Sequence, residues 1–175
     1  LPRVPLAGGP TPLQPLPRLS AALGGPTLWC KRDDLIALAG GGNKARKLEY
    51  LLAAAQADGA DTVITFGGAH SNHARMTAVG ARMVGLAPVL VLTGAPLDPP
   101  VGNLLLDQLA GARVEWVADF GAARDARVEQ LRVELAAAGR RAAWIPGGGT
   151  TPLGAMGYAR AALELRAQCQ AEGFC

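Results

Sequence analysis

Aromatic residues are scarce in this chain: three Trp, two Tyr and three Phe among 175 residues. Half of the residues are apolar, so a sizeable core is available, but Ala, Leu and Val must build it. Lysine is scarcer still. Of the seventeen basic residues only Lys31, Lys44 and Lys47 are lysine, and the other fourteen are arginine. No run of five or more like charges occurs and the net charge is only +3, so nothing reads as a nucleic-acid surface. Cys30, Cys169 and Cys175 form an odd set without tight spacing, which excludes a zinc pattern and a disulfide framework. Free thiols in a reducing compartment, and hence a cytoplasmic protein, are the expectation. No apolar stretch is long enough to span a membrane, and no secretory signal pattern opens the chain. A Walker A loop, a Gly-x-Ser-x-Gly elbow and a Gly-x-Gly-x-x-Gly turn after the first strand are all missing, which argues against P-loop, α/β-hydrolase and Rossmann readings.

Against that background Lys44 stands out. It follows Gly40-Gly41-Gly42-Asn43 and precedes Ala45-Arg46-Lys47. Arginine keeps its proton, whereas a partly buried lysine can become a base or a Schiff-base nucleophile. The plainer alternative is a solvated residue at a helix start. A second signal is Gly67-Gly68-Ala69-His70-Ser71-Asn72-His73-Ala74-Arg75, which holds both histidines of the chain. Glycines after a strand let the backbone approach a ligand, and Ser71 and Asn72 are good N-cap residues, so this turn can present N–H groups to a carboxylate or phosphate. A cap with no further role is the alternative. His70 and His73 stand at metal-ligand spacing but lack a third ligand nearby, so no metal centre is expected.

The periodicity alternates strands with helices. Pro10–Leu13 and Pro15–Pro17 read as extended or turn segments, Leu19–Leu23 as a turn of helix, and 27–32 as a strand. Helices are expected from Ala45 to about Gly59, over Asn72–Val84, Gly102–Leu109, Ala122–Ala138 and Leu153–Glu172. Strands are expected over Thr62–Phe66, Pro88–Leu92, Arg113–Val117 and Ala142–Ile145, each apolar on both faces. The pattern predicts an α/β fold, a parallel sheet with helices on both faces, whose ligands sit beyond the carboxyl ends of the strands. The loops at 67–73, 93–102 and 146–152 occupy that position, and the Lys44 loop can face the same crevice.

Lys31-Arg32-Asp33-Asp34, Gly41-Gly42-Asn43-Lys44 with Arg46-Lys47-Leu48-Glu49, and Ser71-Asn72-His73 together resemble the D-cysteine desulfhydrase and 1-aminocyclopropane-1-carboxylate deaminase family. These are pyridoxal-phosphate enzymes of the tryptophan-synthase-β type, fold type II. Gly102-Asn103-Leu104-Leu105-Leu106-Asp107 and Leu153-Gly154-Ala155-Met156-Gly157-Tyr158 lean toward the desulfhydrases, while His70 stands where the family usually has Gln. The resemblance implies that Lys44 binds the pyridoxal 5'-phosphate aldehyde and later acts as base at the substrate Cα, with Arg46 and Lys47 as cationic neighbours. It implies that Asn72 bonds the cofactor ring oxygen, and that Ser71 with the N–H groups around Asn72 and His73 holds the carboxylate of a small amino acid. A homodimer is implied too. The family's phosphate-binding loop and its contact to the pyridine nitrogen are expected beyond these residues. The chain then corresponds to an N-terminal half with the C-terminal part of the large domain absent, and weak cofactor binding and little turnover are expected of it. Residues 1–47 and 152–175 would belong to the large domain, and 48–151 to a small α/β domain. The competing expectations are 1-aminocyclopropane-1-carboxylate deaminase activity and a catalytically dead α/β binding domain.

Overall fold

The computed structural model describes residues 1–174, so Cys175 lies outside the described residues. Four parallel strands form the main sheet: β3 (Thr62–Gly68), β4 (Ala87–Thr93), β5 (Arg113–Val117) and β6 (Ala142–Trp144), in the spatial order β5-β4-β3-β6. The central strands β3 and β4 pair over their whole length, Thr62 opposite Ala87 through Gly68 opposite Thr93. Side chains alternate across the sheet with period two, and both faces are covered. On one face Leu90 and Leu92 pack against Ala74 and Ala78 of α3 (Asn72–Met83) and Leu104 of α4 (Asn103–Leu109). On the other, Ile64, Val89 and Val91 meet Leu131 of α5 (Ala122–Ala137). Burying a leucine as completely as Leu131 contributes about 2 kcal/mol. The predicted parallel sheet with helices on both faces is therefore present. The edge strands differ from expectation: β5 is nowhere fully buried and Trp144 of β6 is exposed, because each edge has a neighbour on one side only.

Helix α2 (Lys44–Ala57) is made of strong helix formers and is buried on most of its circumference. Gly59, in the left-handed region, ends it. The N–H of Gly59 bonds the Gln56 carbonyl and that of Ala60 the Ala55 carbonyl, the pattern of a Schellman stop. One cluster joins Leu48 and Leu52 of α2 to Val63 and Met76, and also to Leu6, Ile36 and Leu38 from the N-terminal segment.

That segment holds a correction. Residues read as Pro-rich turns include β1 (Leu13–Pro15), which pairs antiparallel with β2 (Trp29–Lys31). Pro15 is tolerated because a two-stranded ladder leaves one edge of each strand free of bonds. Helix α1 (Pro17–Leu23) also starts two residues earlier than expected, since proline at the first helical position gives up no needed N–H.

The last helix, α6 (Pro152–Ala171), is locked onto α2. Buried Arg46 grips Asp33 through two bonds of 2.8 and 2.7 Å and reaches Glu164 at 2.9 Å. Lys31 also bonds Glu164, and Arg46 bonds the Thr11 hydroxyl. Burial pushes the Glu164 carboxyl up, but the bonds from Arg46 and Lys31 outweigh it and hold it at about 2. The helices cross closely at Gly157, where a Cβ would lie 2.1 Å from the Arg46 carbonyl oxygen.

Candidate active site

Two helix N-termini meet beyond the carboxyl ends of β3 and β6. The first belongs to α2. Gly40, Gly41 and Gly42 all have positive φ, and Gly41 (φ 92°) runs so close to Asp34 that a Cβ would sit 2.0 Å from its carbonyl oxygen. Only glycine fits there. The tight turn delivers Lys44 as the first residue of α2, half-buried. Its Nζ donates to Asn43 Oδ1 at 3.0 Å, and Asn43 Nδ2 donates in turn to the Tyr158 hydroxyl on α6. The ammonium has only donors, so the Asn43 amide can face it one way round.

The second N-terminus belongs to α3. Gly67 packs against Ser71, leaving no room for a Cβ. Ser71 Oγ accepts from the Ala74 N–H at 3.2 Å, so Ser71 does cap the helix, and its hydroxyl lies at the corner all the same. The N–H groups of Asn72 and His73 precede the first helical bond and point out of the helix end. An anion placed there meets both the donors and the positive end of the helix dipole.

His73 lies beneath this corner, buried. Thr65 donates its hydroxyl proton to the Ile145 carbonyl at 2.7 Å and must therefore accept from His73 Nε2 at 2.9 Å. This leaves Nδ1 unprotonated and, among the described residues, unpartnered. Burial first, then the charges of Lys44 and Lys47, lower the His73 pKa to about 4, against a weaker upward pull from Pro146. The histidine is thus neutral, its ring is turned inward, and only its backbone N–H remains for a ligand. Arg75 of α3 bonds the Gly41 carbonyl at 2.8 Å, which brings the turn that delivers Lys44 alongside the start of α3.

The expected cationic neighbours divide. Arg46, roughly 200° around the helix from Lys44, is turned away into its ion pairs. Lys47 stays on the site side. Its Nζ donates to the Gly148 carbonyl and the Thr150 hydroxyl, both at 3.1 Å, and lies 5.7 Å from the Tyr158 ring centre. Thr151 caps α6 through a 3.0 Å bond from the Gly154 N–H, so the 147–151 loop is a strand-to-helix turn. His70 is exposed and contributes its carbonyl oxygen, which accepts from Asn103 Nδ2 at 2.6 Å. Asn43, Thr65, Arg75, Asn103 and Tyr158 were not singled out from sequence. Arg75, Asn103 and Tyr158 fall inside the conspicuous segments, yet their partners lie 28 to 115 residues away.

A separate cleft of about 580 Å³ opens between the N-terminal segment and α6. Four of its five charged side chains are paired, Arg3 with Glu49 and Arg46 with Glu164, both at 2.9 Å, and the fifth is Arg160. The Lys44 crevice is the candidate site, since it joins a lysine amine to the open start of α3.

The fold and this crevice define an α/β protein that offers a lysine amine and an anion-binding helix start at the mouth of a parallel sheet. Residues 4–173 match the family described as pyridoxal-phosphate dependent enzyme. The chain belongs to that family. D-cysteine desulfhydrases of Salmonella paratyphi B and Salmonella newport are each 45% identical over 174 residues, covering 97% of this chain and 52% of theirs. A solved structure described as an ACC deaminase homologue superposes with a TM-score of 0.87 at 43% identity, covering 96% of this chain and 51% of that one. A threonine deaminase from T.th. (TM-score 0.72, 24% identity, 95% and 48% covered) shares the fold. The fold is that of the type II pyridoxal-phosphate enzymes, and the chain spans about half the length of the curated relatives it matches.

Proposed function

We propose that this chain carries the lysine half of a pyridoxal-phosphate lyase acting on a small amino acid, D-cysteine desulfhydrase-like, with pyruvate, ammonia and sulfide as products. The observation that carries this reading is Lys44 at the start of α2, on a turn that Arg75 ties to the Ser71–Asn72 helix start, in a chain 45% identical to D-cysteine desulfhydrases. The residues fit the cofactor. Lys44 supplies the amine that attaches it, and Asn72 supplies a side-chain donor for its ring oxygen. Bound there, the cofactor acts as an electron sink for the substrate Cα.

The chain's own groups do the rest. Lys44 Nζ would be the base that takes the proton from the substrate Cα. Ser71 and the N–H groups of Asn72 and His73 hold the substrate carboxylate against the α3 dipole. Neutral His73 leaves the floor of the site uncharged, and Lys44, Lys47 and Arg75 are the cations around it. The division into a small domain over 48–151, flanked by parts of a larger one, belongs to this reading. It is supported by a sheet that lies wholly between Thr62 and Trp144. A cytoplasmic homodimer is part of the same proposal. Among the described residues no helix is long and apolar enough to cross a membrane.

The ACC deaminase homologue at TM-score 0.87 keeps 1-aminocyclopropane-1-carboxylate deamination as the second reading. The test incubates the protein with pyridoxal phosphate, reduces it with borohydride and maps the modified peptide. Modification of Lys44, lost in Lys44→Ala, is expected; labelling spread over surface amines sinks the proposal. Sulfide release from D-cysteine against ammonia release from the cyclopropane amino acid separates the two substrate readings.

A further inference from the structure

The Asn72 side chain can serve a ligand oxygen only if its NH2 end, not its carbonyl end, faces the crevice. Nothing in Asn72 itself decides this, but its neighbours do. Arg75, one turn into α3, donates through Nη2 to the Gly41 carbonyl at 2.8 Å and through Nη1 to Asn103 Oδ1 at 3.0 Å. A guanidinium has donors only, so the Asn103 atom facing it must be oxygen. The other end of Asn103 is then its NH2, which meets the His70 carbonyl at 2.6 Å and Asn72 Oδ1 at 3.2 Å. A carbonyl has acceptors only, so both ends of Asn103 agree on one orientation. Asn72 receives a donor on its carbonyl oxygen, and its own NH2 is left directed away from Asn103.

We propose that Arg75 and Asn103 are positioning residues: together they fix the Asn72 amide with its NH2 toward the crevice, and Arg75 ties that amide to the loop that delivers Lys44. The proposal rests on the reading of the crevice as a pyridoxal-phosphate site. Neither residue touches the reacting atoms. One Arg75 side chain holds both the Gly41 carbonyl, three residues before Lys44, and the asparagine that orients Asn72. The attaching amine and the ring-oxygen donor are thereby held in register across two helices. Fixing such groups before the ligand arrives spares the binding step their ordering cost. Beneath Arg75 lies the carboxylate of Asp107, almost fully buried and without a hydrogen-bond partner among the described residues.

Asn103→Asp tests this, because the new carboxylate still accepts from Arg75 but cannot donate to Asn72. Two readouts are taken, one of them without cofactor. In amide-labelled protein, NMR should show the Asn103 NH2 exchanging slowly with solvent and the Asn72 NH2 exchanging faster. In Asn103→Asp the Asn72 NH2 turns to the carboxylate and becomes protected. Capture of pyridoxal phosphate at Lys44, read after borohydride reduction, should weaken about tenfold to a hundredfold, the range for a lost hydrogen bond to a charged acceptor. Arg75→Lys, which keeps the charge but not the fork, should weaken capture in the same direction and carries the test if the first variant fails to fold by circular dichroism. Fast exchange of the wild-type Asn103 amide, or wild-type capture by both variants, overturns the proposal. A protected Asn103 amide in a wild-type protein that captures no pyridoxal phosphate supports the geometry and overturns the functional reading instead.

Discussion

His73 and Thr65 are joined by a 2.9 Å hydrogen bond in which the ring nitrogen Nε2 donates and the hydroxyl accepts, because the hydroxyl proton is already committed to Ile145. The bond welds the first turn of α3 to β3 and, through Ile145, to the end of β6. It also fixes the tautomer of the neutral imidazole, with the proton on Nε2.

Stability should therefore fall in mild acid. The folded-state pKa of His73 is about 4 against 6.5 for the free side chain. Between these values the unfolded chain takes up a proton that the folded chain refuses, so stability drops as pH falls from 6.5 toward 4. The loss is on the order of 3 kcal/mol and is complete below the folded value. Denaturant midpoints at pH 7 and pH 4 check this. His73→Gln, which keeps a donor for Thr65, should remove that part of the slope, and an unchanged slope would mean the ring already titrates in the native state.

Asp107 should act in the opposite sense. Burial pushes its carboxyl up to about 7, with Arg75 opposing more weakly. Between the ordinary value of 3.8 and about 7 the folded chain keeps a proton that the unfolded chain has lost, so stability falls as pH rises through that window. Asp107→Asn should raise stability at pH 8 by about 2 kcal/mol and change little near pH 3.5. Urea melts at the two pH values measure the difference, and a variant that is weaker at pH 8 would refute it.

Gly41→Ala should unseat the Lys44 loop. The added Cβ would stand 2.0 Å from the Asp34 carbonyl oxygen at a φ of 92°, so both sterics and backbone oppose it. A cost of about 3 kcal/mol or more is expected. Gly40→Ala is the control, with a positive φ but open space around the added carbon. It should cost about 1 kcal/mol. Equal thermal shifts in the two variants would show that the contact with Asp34 is not made.

Glu164→Gln should loosen α6 from α2. Arg46 would keep its two bonds to Asp33 but lose the charge-assisted contact to α6, at a cost of about 2 kcal/mol. Hydrogen exchange should rise in α6 and stay unchanged in the β3–β4 pair. Uniform acceleration across the chain would show that α6 and the sheet unfold as one unit.

The parts that were legible in the sequence are those set by local chemistry. Helix formers from Ala45, glycine stops at Gly59, Gly85, Gly111 and Gly139, and β-rich runs from Thr62 and Pro88 specify their elements without help from distant residues. The boundaries of α2, α3 and α5 differ from expectation by only one or two residues. Strand β1 was hidden because proline chemistry argues for turns, and only the presence of β2 across from it supplies a ladder. Lys44, Ser71 and Asn72 were legible because glycines and cap residues mark helix starts wherever they occur.

The sequence by itself determined that strands and helices alternate, and that one lysine amine and one capped turn stand at helix N-termini. Tertiary structure alone decided that these two starts share a crevice, that Arg46 faces away from it, that His73 is buried and neutral, and that Arg75 and Asn103 hold Asn72. The reason is range. Backbone preference and hydrophobic period act over a few residues, whereas each of these side chains finds its partner across the packed interface of two elements, where burial and donor–acceptor matching choose among residues far apart in the chain.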